Sequence, residues 1–225
     1  MQDGAKVSAP DAVQRFLQGY RPPPGVADEL LQRDGRLRPV WAPLIRHLAA
    51  QGPETRARAF ARGDQYLHDT GVYFRQYTGD GSTERNWPLS HVPVVIAAQE
   101  WAQLAEGITQ RAELLERVMA DLYGPGALVR DGHLPADLVA RKPRSGHYLH
   151  FLAFEVGRSP NGSWLVLGDR TQAPSGAGFA LENRMATSRV FHDVYPGANV
   201  ERLAGFFRGF RDALNGLRQG SESRV

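Results

Sequence analysis

A chain of 225 residues can bury a sizeable core in one or two domains, and 42% hydrophobic with 23% charged residues is the balance of a globular protein. No cysteine is present, which excludes disulfides and thiolate metal sites and fits a reducing, cytoplasmic setting. The formal charge is +3 and the pI about 9.4, yet only Lys6 and Lys142 are lysines, so 25 of the 27 basic residues are arginine.

Arginine favours forked contacts with carboxylates and phosphates, although arginines on solvated faces are the simpler reading of such a composition. There is no block of consecutive basic residues, no zinc spacing and no nucleic-acid motif, so nucleic acid is not an expected partner. Met1 to Pro10 has no apolar leader core, and no apolar run approaches spanning length, so no membrane partner is expected either.

Residues 1–25 read as a loose lead-in, closed by Pro22-Pro23-Pro24-Gly25, which stops any helix begun at Asp11. Residues 26–70 read as mostly helical. Leu44, Ile45 and Leu48 give one apolar face; Pro53-Glu54 opens a second helix with Ala57, Phe60 and Leu67 inward. Val72 to Tyr77 alternates as a strand, and Gly79-Asp80-Gly81 turns it back. That loop lacks the lysine and spacing of a phosphate-binding loop and reads as a turn.

Residues 96–123 form the clearest helix, with Trp101, Leu104, Ile108, Leu115, Val118, Met119 and Leu122 at helical spacing as core, ended by Gly124-Pro125-Gly126. A loop-rich stretch follows to 146. Residues from Phe179 can start a helix, 200–217 make a last amphipathic one, and 219–225 read as a frayed tail.

Between them lies the stretch that concentrates polar chemistry, His147 to Arg184. Two β-rich runs, Tyr148–Val156 and Trp164–Leu167, flank Asn161-Gly162 and read as a hairpin. If Asn161-Gly162 are the two turn residues, Glu155 falls opposite Gly168 and Ala153 opposite Arg170. Side chains alternate faces along a strand, so Glu155, Gly168 and Arg170 share one face and Asp169 points to the other. Glu155 and Arg170 then become diagonal neighbours roughly 7–8 Å apart, a span a long arginine closes. A surface ion pair and a ligand-holding pair are both compatible with that spacing. The seven histidines show no i, i+4 helical pair, and His147 and His150 point apart on one strand, so no histidine metal site is expected. No Gly-x-Ser-x-Gly appears, and triad hydrolysis has no support.

The motifs resemble the circularly permuted ATP-grasp proteins of type 2, relatives of glutathionylspermidine synthase. The likeness runs through Val72–Tyr77, Arg85-Asn86-Trp87-Pro88-Leu89, Glu100-Trp101, Gln110-Arg111, Asp121-Leu122-Tyr123-Gly124 and Asp131-Gly132-His133-Leu134-Pro135. It continues through Glu155, Gly168-Asp169-Arg170-Thr171-Gln172-Ala173-Pro174-Ser175-Gly176 and Leu181-Glu182-Asn183-Arg184, covering most of residues 30–210. The mixed periodicities lead to an α/β (α+β) fold with antiparallel strands, the 147–169 hairpin in the central sheet and helices 96–123 and 200–217 packed on it, and the resemblance implies an incomplete ATP-grasp with an antiparallel or mixed sheet. It implies a single domain over 26–218, the front half of the permuted fold. The activity it implies is amide-bond formation by a carboxylate–amine ligase through an acyl phosphate, with ATP and magnesium as cofactors of the complete protein. The implied partners are a downstream ATP-grasp lobe, in the same protein or a separate chain, and a small-molecule or peptide substrate.

In metal-binding members the acidic residue of the first strand, with a Glu and an Asn of the second, holds magnesium. Here the latter positions are Gly168 and Arg170, so the resemblance implies no metal ligands at this spot and weak or no ATP–magnesium binding by the chain alone. The catalytic candidates are Arg170 and Glu155. The substrate-binding candidates are Arg75, Gln76, Arg85, Gln172, Ser175, Gly176, Asn183 and Arg184, of which Ser175, Gly176, Asn183 and Arg184 are expected to line a polar cleft. The alternative is a non-catalytic binding or scaffold module with a degenerate metal site.

Overall fold

A computed structural model describes residues 9–79, 81–132 and 146–217. Asp80 of the Gly79–Gly81 turn, His133 to Pro135 of the motif that begins at Asp131, and the 219–225 tail lie outside the described residues. The fold combines helices with small antiparallel sheets: α1 (Ala9–Phe16), α2 (Ala42–Ala50), α3 (Pro53–Asp69), β1 (Tyr73–Thr78), β2 (Gly81–Asn86), α4 (Ala98–Leu122), α5 (Ala127–Arg130), β3 (Ala153–Arg158), β4 (Trp164–Arg170), α6 (Ala177–Val190) and α7 (Ala204–Gly216). The α+β class expected from the sequence is the one observed.

Among the described strands no central sheet is formed, however. Among the described residues β1 pairs only with β2 and β3 only with β4, two separate two-stranded sheets. Hairpins of this size are marginal alone and depend on packing against helices.

Within the span expected as one domain, the chain groups into two compact units. The first comprises residues 1–96, 160–162 and 175–201, the second 97–159, 163–174 and 202–225. The core of the first unit lies between α3 and α6. One cluster joins Leu48, Ala59, Val190 and Phe191, and a second joins Leu67, Val72 and Ala186. The inward face of α3 is not Ala57, which is exposed, but Ala59, Phe60, Gly63 and Leu67. Small residues there let the backbones approach closely: a Cβ on Gly63 would stand 2.7 Å from Val190 Cγ2 and 2.8 Å from His91 Cε1. Residues 27–41 are turns, a single bridge and a short 3-10 helix rather than α-helix. In the stretch read as a lead-in, α1 is helical and Phe16 packs on the first cluster, beneath the Arg56 guanidinium.

In the second unit Leu104 and Leu122 of α4 are buried, but Trp101, expected in the core, is exposed. The Phe206 and Phe210 rings of α7 pack on Phe151, with centroids 5.7 and 4.8 Å away, so α7 is anchored on the segment leading into β3. Glu116 of α4 accepts the N–H groups of Tyr148 and Leu149, each at 2.9 Å, and fixes the same segment.

Candidate functional site

The β3–β4 hairpin carries the catalytic candidates, and its geometry depends on one irregularity. At the site end, Ala153 pairs with Arg170, Phe154 with Asp169 and Glu155 with Gly168, the pairs expected from the sequence. Beyond Glu155 the register shifts: Val156 pairs with Val166, Gly157 with Leu165 and Arg158 with Trp164. The turn is a three-residue loop, Pro160-Asn161-Gly162, closed by the Ser159 N–H on the Ser163 carbonyl at 2.9 Å, with Gly162 at φ +92°. A left-handed third residue is what such loops use glycine for. Leu167 is therefore an extra residue, a β-bulge in β4.

The bulge has a chemical consequence. A three-residue loop with no bulge would pair Glu155 with Leu167 and bring Asp169, not Arg170, to the glutamate's face, because a one-residue slip exchanges the faces of a strand. The bulge restores the phase and so selects the arginine. Arg170 Nε donates to Glu155 Oε1 at 2.8 Å, and Nη2 donates to the same oxygen. Both side chains remain more than half exposed, Glu155 at 52% and Arg170 at 66%, so the pair itself adds little stability.

Asp169, on the opposite face, meets α4. Arg111 grips it as a fork, Nε to Oδ1 at 2.7 Å and Nη2 to Oδ2 at 2.8 Å. That hydrogen-bonded guanidinium holds the Asp169 carboxyl below the usual carboxylate range. Further along the same face Arg158 pairs with Glu100 of α4 at 2.7 Å and lies over the Trp164 ring at 4.1 Å. These contacts seat the hairpin on α4 and leave the Glu155–Arg170 face outward. Arg111 was visible in the sequence only as part of Gln110-Arg111; the signal that locates its role is Asp169's position on the face turned away from Glu155.

The Asp169 contact predicts a defined acid response. Its folded pKa is depressed, so its stabilisation is complete above the unfolded value of about 3.9 and is lost as the pH falls through the folded value. Thermal unfolding of the native chain and Asp169→Asn is expected to show a native advantage near pH 6 that disappears as the pH is lowered below about 4. An advantage independent of pH would contradict the fork's role.

The residues present do not fit magnesium at this hairpin. The ion takes oxygen ligands in near-octahedral geometry. Here Glu155 Oε1 is held by Arg170, Gly168 has no side chain, Asp169 is turned to Arg111, and among the described residues no group of three or more metal-ligating side chains exists.

The substrate-binding candidates fall in both units, and in the first one Arg85 and Asn183 are linked through Phe74 and Trp87. Arg75 and Arg85 lie on the exposed β1–β2 hairpin, where Arg75 pairs with Glu84 at 2.7 Å and with the Tyr73 hydroxyl at 2.9 Å, while Arg85 lies over the Phe74 ring. Gln76 pairs in register with Thr83. Ser175 is exposed, and Gly176 is the left-handed N-cap of α6 at φ +109°. Asn183 accepts the Trp87 indole N–H at 2.9 Å, Arg184 donates to the Glu201 carbonyl at 2.6 Å, and Glu182 accepts the Tyr66 hydroxyl at 2.8 Å. Ser175, Gly176, Asn183 and Arg184 thus belong to the first unit, whereas Glu155, Arg170 and the exposed Gln172 belong to the second.

Comparison with known proteins identifies the lineage. Residues 93–225 match the circularly permuted ATP-grasp type 2 family, more than half of the chain. The chain belongs to that family. An uncharacterized Synechocystis protein, sll0335, is 34% identical over 84% of this chain and 42% of its own length. A Frankia casuarinae protein provisionally named glutamate–cysteine ligase 2-2 is 32% identical over 92% of this chain and 25% of its own. The uncharacterized Mycobacterium tuberculosis protein Rv2567 is 30% identical over 90% of this chain and 26% of its own. The chain therefore spans between a quarter and about two-fifths of these relatives. No helix among the described residues is long and apolar enough to cross a membrane.

Proposed function

We propose that the chain is the front half of an ATP-grasp-like carboxylate–amine ligase, working with a downstream lobe and carrying a fixed arginine where metal-dependent relatives hold magnesium. The observation that carries this reading is the Arg170 guanidinium on Glu155, with Gly168 opposite, at positions that the resemblance equates with metal ligands. Family membership and the ligase name given to the Frankia relative support the reaction class.

A ligase of this class makes an acyl phosphate that an amine then attacks, and the developing negative charge needs preorganised cations. ATP and magnesium are the family's reagents for this chemistry, but this hairpin does not fit the metal. What it offers is a guanidinium, the group that favours forked contacts with carboxylates and phosphates, for an anionic group of a small-molecule or peptide substrate. The substrate-binding set Arg75, Gln76, Arg85, Gln172, Ser175, Gly176, Asn183 and Arg184 is part of the proposal.

A second reading, a non-catalytic binding or scaffold module, is favoured by the use of both Nε and Nη2 of Arg170 on Glu155. Calorimetry with ATP–magnesium separates the two. The ligase reading expects no binding by residues 1–225 and clear binding when they are joined to the downstream lobe. Absence of binding in both forms supports the scaffold. Micromolar, magnesium-dependent binding by residues 1–225 alone overturns the assignment of the hairpin.

A further inference from the structure

Asn-Gly occurs twice in the sequence, at Asn161-Gly162 and at Asn215-Gly216, and the structure places the two in different backbones. The dipeptide is chemically distinctive because glycine has no Cβ, so its peptide nitrogen stands unshielded beside the asparagine side chain. Once deprotonated, that nitrogen can attack the asparagine Cγ and close a succinimide ring. The attack requires the backbone at asparagine to swing the nitrogen toward its own side chain.

Asn215 is poorly placed for this. It lies in α7, which runs to Gly216, so its torsions are helical and the next nitrogen belongs to a turn whose N–H groups point back onto carbonyls. Asn161 is the middle residue of the Pro160-Asn161-Gly162 loop, exposed and outside any helix or strand. Loops of this kind move more readily than the elements they join.

Arg33 adds a second difference. Its Nη2 donates to the Asn161 carbonyl oxygen at 2.9 Å, and among the described residues its guanidinium makes no ion pair. That carbonyl belongs to the peptide bond whose nitrogen is the nucleophile. As the Gly162 nitrogen loses its proton, peptide resonance spreads negative charge onto the same oxygen. A cation already in place there stabilises the charge as it develops. The Asn215 carbonyl faces the neutral Leu217 N–H instead.

We propose that Asn161 is a site of spontaneous covalent modification, converted through a succinimide to aspartate and isoaspartate, with Arg33 assisting. The Gly162 nitrogen gives its proton to solvent base and bonds to Asn161 Cγ. The Cγ–Nδ2 bond breaks, and Nδ2 leaves as ammonia after taking a proton from water. Water then opens the ring at either carbonyl, giving aspartate or, with the chain rerouted through Cγ, isoaspartate. No electrons are gained or lost. Either product places a carboxylate in the loop that Arg33 contacts. Isoaspartate also lengthens the loop backbone by a methylene, against a closing bond from the Ser159 N–H to the Ser163 carbonyl that fits three ordinary residues. The inference is independent of the ligase reading, because it uses neither Glu155 nor Arg170.

The test is a timed incubation of residues 1–225 at mildly alkaline pH, with peptide mass mapping at both asparagines and enzymatic methylation to count isoaspartate. Asn161 is expected to convert about tenfold faster than Asn215, the factor that one helical hydrogen bond supplies. In guanidinium chloride the two should convert alike, because neither keeps its folded backbone. Arg33→Gln should slow Asn161 by about threefold or more and leave Asn215 unchanged. Asn161→Gln, whose longer side chain closes a less favourable ring, should remove the product at that position. Absence of product at Asn161, or equal rates at Asn161 and Asn215 in the folded chain, overturns the proposal. A difference that persists in guanidinium chloride overturns its structural origin, and an Arg33→Gln variant as fast as the native chain overturns the role of Arg33.

Discussion

Replacing Gly168 by glutamate together with Arg170 by asparagine is expected to turn the outer hairpin face into a divalent-metal site. The register places residues 155, 168 and 170 on one face, with 155 and 168 directly opposite. A Cβ at 168 would lie 3.2 Å from Glu155 Oε2, so the new side chain starts close to its partner and the glutamate must yield by a few tenths of an ångström. Removing the guanidinium frees Glu155 Oε1, and asparagine adds a neutral oxygen. Two carboxylates and an amide oxygen are an oxygen set of the kind magnesium takes, with waters at its other positions.

Calorimetry should detect magnesium binding by the double variant with a dissociation constant on the order of 1 mM or tighter, and none by the native chain. Either single substitution should fall short. Gly168→Glu alone leaves the arginine in place, and Arg170→Asn alone leaves one carboxylate. An inert double variant would show that the hairpin face lacks the geometry assigned to it.

The largest expected loss of stability comes from the first unit. Gly63→Leu places a side chain where a single Cβ already lies 2.7 Å from Val190 Cγ2 and 2.8 Å from His91 Cε1. Val190 is 2% exposed and belongs to the cluster with Leu48, Ala59 and Phe191, so it has no open space to move into. His91 is held as well, through Asp64 at 2.9 Å and by stacking on Phe60. Overpacking of this kind costs about 1–3 kcal/mol, and relief by separating α3 from α6 would loosen the contact of Glu182 with Tyr66. The shift of the urea midpoint measures it. Gly63→Ala should cost less, and a substitution at Gly107, which faces open space, should not reproduce the loss. A midpoint for Gly63→Leu equal to that of the native chain would refute the close crossing.

The hairpin shows both the reach and the limit of the sequence. Strand periodicity placed Glu155, Gly168 and Arg170 together and Asp169 apart, and the structure pairs them so. The route differs: the turn has three residues rather than two, and the bulge at Leu167 compensates. No local signal marks that bulge, because Leu167 is an ordinary strand residue. It rests on the arrangement of β3, β4 and α4 together, including the Arg111–Asp169 fork.

Helix α3 failed in another way. Arg56, Arg58 and Arg62 interleave the small residues of its first half, and Ala59 and Gly63 carry little hydrophobic weight, so the apolar pattern pointed to Ala57. The separate two-stranded sheets were not legible either, since a strand's pattern does not say whether its second edge is paired. The motif Glu182-Asn183-Arg184 was legible as polar chemistry. Its contacts with Tyr66, Trp87 and the Glu201 carbonyl depend on residues 17 to 116 positions away in the chain.

The central claim is that Arg170, locked on Glu155 by the bulged register, occupies the place of a metal. Manganese, a paramagnetic substitute for magnesium, tests it most directly through amide spectra of uniformly nitrogen-15-labelled residues 1–225. The account predicts that stepwise addition of manganese leaves the resonances of Glu155, Gly168, Asp169 and Arg170 no more broadened than other exposed amides. Selective broadening of those four at substoichiometric manganese would contradict it.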